Sequence, residues 1–279
     1  MPIHDQSYRR YGGDRAPEGR AWTVITTAGI RTMLAKRKFL GLLLVAWLPF
    51  IVRAVQMYIA ANFPQASMLA PTPETFRQFL EQQGLFTFFI TIFTGAGLIA
   101  SDLRANALQI YLSKPLGRFE YIAGKFGVLA FFLLLVTWVP ATMLLVIQIV
   151  FAGNLAFLKA NLFLLPAILV ATGIETVVLS TVMLALSSLS KSARFVGIMY
   201  AGMMFFTHAL YGVVFVVTRN TTFSWMSLQG NLQHLGDLVF RVESRYDTPA
   251  WATVLALAVI VGASAYVLER RVRGVEVVT

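Results

Sequence analysis

The sequence predicts an all-α membrane protein with six transmembrane helices. Three observations carry that prediction. Apolar residues make up 57% of the 279-residue chain and charged residues only 13%, against about 25% charged in a soluble domain. The mean hydropathy is +0.70. The apolar residues gather into six runs, each near the ~20 residues that carry a helix across the hydrocarbon core. The runs lack the two-residue alternation of barrel strands. A chain so poor in charge cannot coat a water-facing surface, which excludes a soluble enzyme and a disordered protein.

The six runs are Phe39–Ala61, Leu85–Ser101, Phe126–Ala152, Leu162–Leu189, Phe195–Thr218 and Ala250–Leu268. They divide the chain into a polar N-terminal segment (1–38), a transmembrane domain (39–268) and a short tail (269–279). The net charge is +10. Because the cations fall between apolar runs, they report orientation rather than nucleic-acid binding. Of the 23 Lys and Arg, seventeen lie in the N-terminal segment, the second and fourth loops and the tail, against five in the other loops. The positive-inside rule therefore places both termini in the cytoplasm of a multi-pass protein of the inner (plasma) membrane. The first 38 residues are too long and too charged for the start of a cleaved signal peptide, so the first span is expected to be retained. The chain has no Cys, which excludes disulfides and thiolate metal sites. His4, His208 and His234 are too scattered to suggest a metal site.

Before the first span, Arg20–Lys38 reads as an amphipathic interfacial helix. Trp22, Ile25, Ile30, Met33 and Leu34 share one side, and Arg20, Thr23, Thr27, Arg31 and Lys38 the other. In the first outer loop, Thr72 suits an N-cap, Pro73 the first helical position and Glu74 the positive helix end. A short external helix is expected there, ending at Gly84. The longest loop, Arg219–Pro249, repeats Leu232, Leu235 and Val239 at helical spacing, so a structured, partly embedded loop is expected. Pro140 and Pro166 are expected to bend their spans. Gly95, Gly97 and Ser101, and Ala258 with Gly262, permit close packing or a dimer face. The 22 Phe are expected mainly at lipid, and His208 as a hydrogen-bonding group between helices.

The segment between the second and third spans carries the most information. Ser101 or Asp102 caps a helix whose stripe is Leu103, Ala107, Ile110 and Tyr111. Pro115 and Gly117 break it, and Arg118 to Lys125 leads into the third span. The result is a short cytoplasmic helix held near the membrane. An acidic residue and Arg, a Leu-Ser-x-Pro break, a following Arg and a Gly-Lys at the third span are represented here by Asp102, Arg104, Leu108, Leu112, Ser113, Pro115, Arg118, Gly124 and Lys125. With six spans and both ends inside, the chain resembles the ABC-2 type transporter permeases, in particular the small NosY- and Nat-type subunits without a fused ATPase. It departs from that pattern at Asn106-Ala107, where Gly-Thr is common, and at Gln109, where Glu is common.

The resemblance implies the permease subunit of an ATP-driven exporter. Such a subunit pairs with a second permease, as homodimer or heterodimer, and with two copies of an ABC ATPase subunit. The segment after span 2 would be the coupling helix and the basic helix before span 1 the elbow. The chain contains no G-x-x-x-x-G-K-[ST] to cradle ATP phosphates. It is therefore expected not to be an enzyme and to hold no cofactor, with ATP and Mg2+ on the partner. Lipid is the other expected partner, and nucleic acid is not one. The ATPase contacts are expected at Asp102, Arg104, Leu108, Tyr111, Leu112, Pro115, Arg118 and Glu120.

Two ionisable residues fall well inside spans, Arg53 and Glu175. Intramembrane charges are costly and mark functional positions. By helix rise they lie about 12 and about 20 Å from the outer ends of their spans. An ion pair, a substrate path, and independent snorkelling or a neutral Glu are all compatible with that. Other function classes are a secondary transporter, which would show broken midplane helices or an inverted repeat, and a scaffold or mechanotransmission subunit. A membrane-embedded enzyme would need more than one lone acid.

Overall fold

A computed structural model of the protein describes residues 21–107 and 117–272, and every regular element among them is helical. Six segments are long and apolar enough to cross a membrane: Arg37–Asn62, Pro73–Arg104, Arg118–Ala152, Leu164–Leu189, Ala193–Thr218 and Ala250–Arg271. They correspond to the six apolar runs and are termed spans 1 to 6.

The chain opens with α1 (Ala21–Leu34). Span 1 is α2 (Arg37–Ala46) and α3 (Leu48–Asn62). Its break at Trp47 follows from Pro49, which lacks an N–H and crowds the carbonyl four residues back. The buried Gln83 side chain donates to the Ala46 carbonyl at this break, 3.1 Å away. Span 2 begins as α4 (Pro73–Gly95), is interrupted at Ala96–Ile99 and ends as α5 (Ala100–Arg104). The Thr72 cap forms as expected, its backbone N–H donating to Thr75 Oγ1 at 3.1 Å. The helix does not stop at Gly84, because nothing there needs a left-handed residue and apolar faces continue on both sides. The predicted external helix and span 2 are thus one element.

Span 3 is α6 (Arg118–Val136) and α7 (Trp138–Ala152). Pro140 bends it at Thr137, as expected. After α8 (Ala156–Ala160), span 4 is α9 (Leu164–Leu189) and span 5 is α10 (Ala193–Thr218). Pro166 produces no bend, since it sits in the first turn of α9, where its missing N–H has no intrahelical partner to lose. A 3-10 turn, Thr221–Met226, leads to α11 (Leu228–Val239), and α12 (Ala250–Arg271) is span 6. The helical reading of the long loop holds: α11 packs against α4, α9, α10 and α12.

Glycine permits a close helix crossing between α1 and α6. A Cβ on Gly124 would come within 2.7 Å of Ile25, and one on Gly127 within 2.6 Å of Thr26 Oγ1. One on Gly29 would strike Val128. Thr26 Oγ1 also donates to the Gly124 carbonyl at 3.0 Å. Helix α1 is thereby pressed onto α6 through Ile25, while Trp22, Val24 and Leu34 stay exposed. Gly95 likewise makes room for Met183. Ala258 and Gly262 are exposed and close no contact within the chain. Five Phe expected at lipid, Phe39, Phe76, Phe79, Phe132 and Phe240, are instead fully buried core residues. Aromatic rings bury large apolar area and so fill space between packed helices.

Candidate functional site

Helices α4 and α9 run side by side in the same direction. Thr87 donates to Glu175 Oε1 at 3.1 Å. Further along, the Ser187 hydroxyl accepts from Ile99 N and Ala100 N, both at 3.1 Å, and donates to Ala96 O at 3.0 Å. Positions 87, 91 and 95 of α4 thus ascend beside 175, 179 and 183 of α9, the four-residue spacing of adjacent helix ridges. Ser187 supplies the hydrogen bonds that the broken stretch of span 2 cannot make for itself.

Beside this seam lies a cavity of about 510 Å³ between α4, α9, α10 and α11. Its size falls in the range of small-molecule sites. Glu175, near the midpoint of α9, lines the inner part with Thr87 and Tyr200. Phe88 stacks on Tyr200 (5.7 Å) and meets Phe205 edge-on (5.6 Å). Leu85, Phe89 and Phe205 line the cavity yet stay 60%, 48% and 67% exposed. The cavity therefore opens sideways between α4 and α10.

At the α11 end the cavity is bordered by an ion-pair network. Fully buried Asp237 meets Arg77 at 3.1 Å and Arg245 at 3.3 Å. Glu81 meets Arg77 at 3.2 Å and Arg245 at 2.8 Å, and Glu74 meets Arg77 at 3.3 Å. Gln233 joins Glu81 to the Tyr246 hydroxyl. Burial alone would lower the Arg245 guanidinium, but its hydrogen bonds and the charges of Glu81 and Asp237 outweigh that and raise it. Sequence reading treated Arg77 and Arg245 only as loop charges. The spacing of Glu74, Arg77 and Glu81 on one helix face was the available signal; nothing local linked them to Asp237.

Arg53 and Glu175 do not pair. The Arg53 guanidinium donates to Gln56, Gln78 and Gln82 at 3.2–3.3 Å, and Gln78 in turn donates to Glu74 at 3.0 Å. Arg53 thus joins the network at the α11 end through a glutamine relay, because α4 presents amides at its depth. His208 approaches Ser227, the N-cap of α11, at 3.4 Å.

At the opposite end, Asp102 Oδ2 accepts from the Tyr121 hydroxyl and from Lys125 Nζ, both at 2.7 Å. Glu120 folds back on the Gly117 N–H at 3.2 Å. Asp102 is therefore occupied within the chain, and Glu120 through one oxygen only, its Oε1 being buried without a hydrogen-bond partner among the described residues, whereas Arg104 and Arg118 are exposed and Phe119 is 83% exposed. Leu108, Tyr111, Leu112, Ser113 and Pro115 lie outside the described residues. Exposed Phe119 escaped the sequence reading, since a Phe beside a span reads as membrane anchoring. Compared with family models the chain matches none, and no curated protein matches it in sequence.

Proposed function

We propose that the chain is the permease subunit of an ABC-2 type ATP-driven exporter, seated in the inner membrane with both termini cytoplasmic. The observation that carries the reading is the joined end of spans 2 and 3. Asp102 ties α5 to α6 through Tyr121 and Lys125, and leaves Arg104, Arg118 and Phe119 facing outward. A protein groove with acidic and apolar walls would complement two such guanidinium groups beside an exposed ring. A push on this end has a continuous route inward: α5 is clasped to α9 by Ser187, and α4 and α9 together line the Glu175 cavity. Helix α1, locked on the start of span 3, fits the elbow role, in which a basic helix would meet anionic headgroups. Two copies of an ATPase subunit, carrying ATP and Mg2+, would supply the stroke. A second permease would complete the pathway, and the exposed Ala258–Gly262 face of span 6 leaves room for close approach.

The test is affinity purification of the chain from its native membrane, read as co-purified ABC-type ATPase activity. The Arg104→Glu/Arg118→Glu variant is expected to lose at least about tenfold of the bound activity, the scale of a lost charge-complementary contact. Retention of full activity by that variant, or no bound ATPase on the natural chain, overturns the reading.

A further inference from the structure

The cavity holds one carboxylate without an ion pair among the described residues. Four ionisable side chains line it: Arg77, Glu81, Arg245 and Glu175. The first three are ion-paired with one another, with Glu74 and with Asp237, and Arg53 reaches Glu74 through Gln78, so three guanidinium groups face three carboxylates. Glu175 has no ion pair among the described residues and is held only by the Thr87 hydroxyl. A carboxylate at mid-span demands either a cation or a proton. The surrounding walls also suit a cation. The rings of Phe88, Tyr200 and Phe205 form a connected aromatic cluster on the cavity wall, and ring faces attract positive charge. The side opening between α4 and α10 is apolar at its rim, through Leu85, Phe89 and Phe205, so it faces the bilayer rather than water.

We propose that this cavity binds an amphiphilic organic cation drawn from the bilayer between α4 and α10, its charge against Glu175 and its apolar body along Phe89 and Phe205. This deepens the permease reading by naming a substrate class, yet binding needs no ATPase and is measured on the chain alone. The probes are tetraphenylphosphonium, its equally shaped anion tetraphenylborate, and the compact cation tetramethylammonium, each titrated calorimetrically into the purified full chain.

Tetraphenylphosphonium is expected to bind and tetraphenylborate to bind at least about tenfold more weakly, as expected of one desolvated charge contact. Tetramethylammonium is expected not to displace the bound probe. Glu175→Gln should weaken tetraphenylphosphonium by about tenfold or more, while Glu175→Asp, which keeps the charge, stays within about threefold. Gly84→Phe fills the cavity from a position where an added Cβ meets nothing within 4 Å, and should abolish binding in a chain that remains monodisperse. Should Glu175→Gln fail to fold, the Glu175→Asp and Gly84→Phe pair decides. Equal binding of the phosphonium and the borate, displacement by tetramethylammonium, or full affinity in Gly84→Phe overturns the proposal. Loss of cation binding with the ATPase still captured would sink the substrate class alone, and the reverse outcome the permease reading alone.

Discussion

Asp237 shows how one buried carboxylate organises a surface of this protein. It is fully buried and answers two guanidinium groups at once. Removing one partner from such a cluster leaves uncompensated charge in a low-dielectric site, at a cost of about 3–5 kcal/mol. Asp237→Asn is therefore expected to lower the unfolding midpoint in detergent, with Arg77→Met in the same chain recovering part of the loss. The neighbouring His234 titrates in a predictable direction. Burial holds its imidazole below the ordinary 6.5, and Asp237 offsets only part of that. Just below pH 6.5 the unfolded chain is then protonated at this residue while the folded chain is not. The unfolded state binds more protons there, so stability falls as pH drops through about 6.5. Thermal unfolding at pH 7.5 and 5.0 reads the difference, which should shrink in His234→Asn, where the amide still reaches Thr253 across the 2.7 Å contact.

Whole helices were legible where their chemistry is periodic. Leu232, Leu235 and Val239 announced α11, and Thr72-Pro73-Glu74 announced the start of α4. Gly84 was misread because glycine near the end of an amphipathic stretch has the same composition whether the chain turns or carries on. The break at Trp47 was overlooked although Pro49 marks it, while the break at Ala96–Ile99 had no proline to mark it. That break is sustained by Ser187, 87 residues away from Ala100, and no local signal could have named the partner. Ser187→Ala strips two buried N–H groups of their acceptor and is expected to cost about 2 kcal/mol or more, each unsatisfied group being worth about 1–3. Gly84→Ala should do the opposite. Its Cβ has open space, and helical glycine costs about 1 kcal/mol relative to alanine. At the α1 crossing, Gly29→Ala should weaken the fold and Val128→Ala in the same chain should restore it, as read from paired melting curves.

At the scale of the whole molecule, six spans were legible because hydrocarbon selects composition as strictly as water does. The cavity was not, since it is made by four helices whose polar residues each look incidental in sequence. The orientation expected from charge has a direct check. The chain has no Cys, so single cysteines can be placed without background. In intact cells a membrane-impermeant maleimide should label Asn220→Cys and leave Lys191→Cys untouched; the reverse pattern would invert the topology.

The glycine-lined seat of α1 on α6 has a practical corollary. Side chains meeting at 2.6–2.7 Å of a would-be Cβ leave no slack for one helix to slide over the other. Val24 points away from that seat and is 67% exposed. A fluorophore fixed at Val24 would behave as a pointer soldered to the third span, converting any tilt of that span into a swing of the dye.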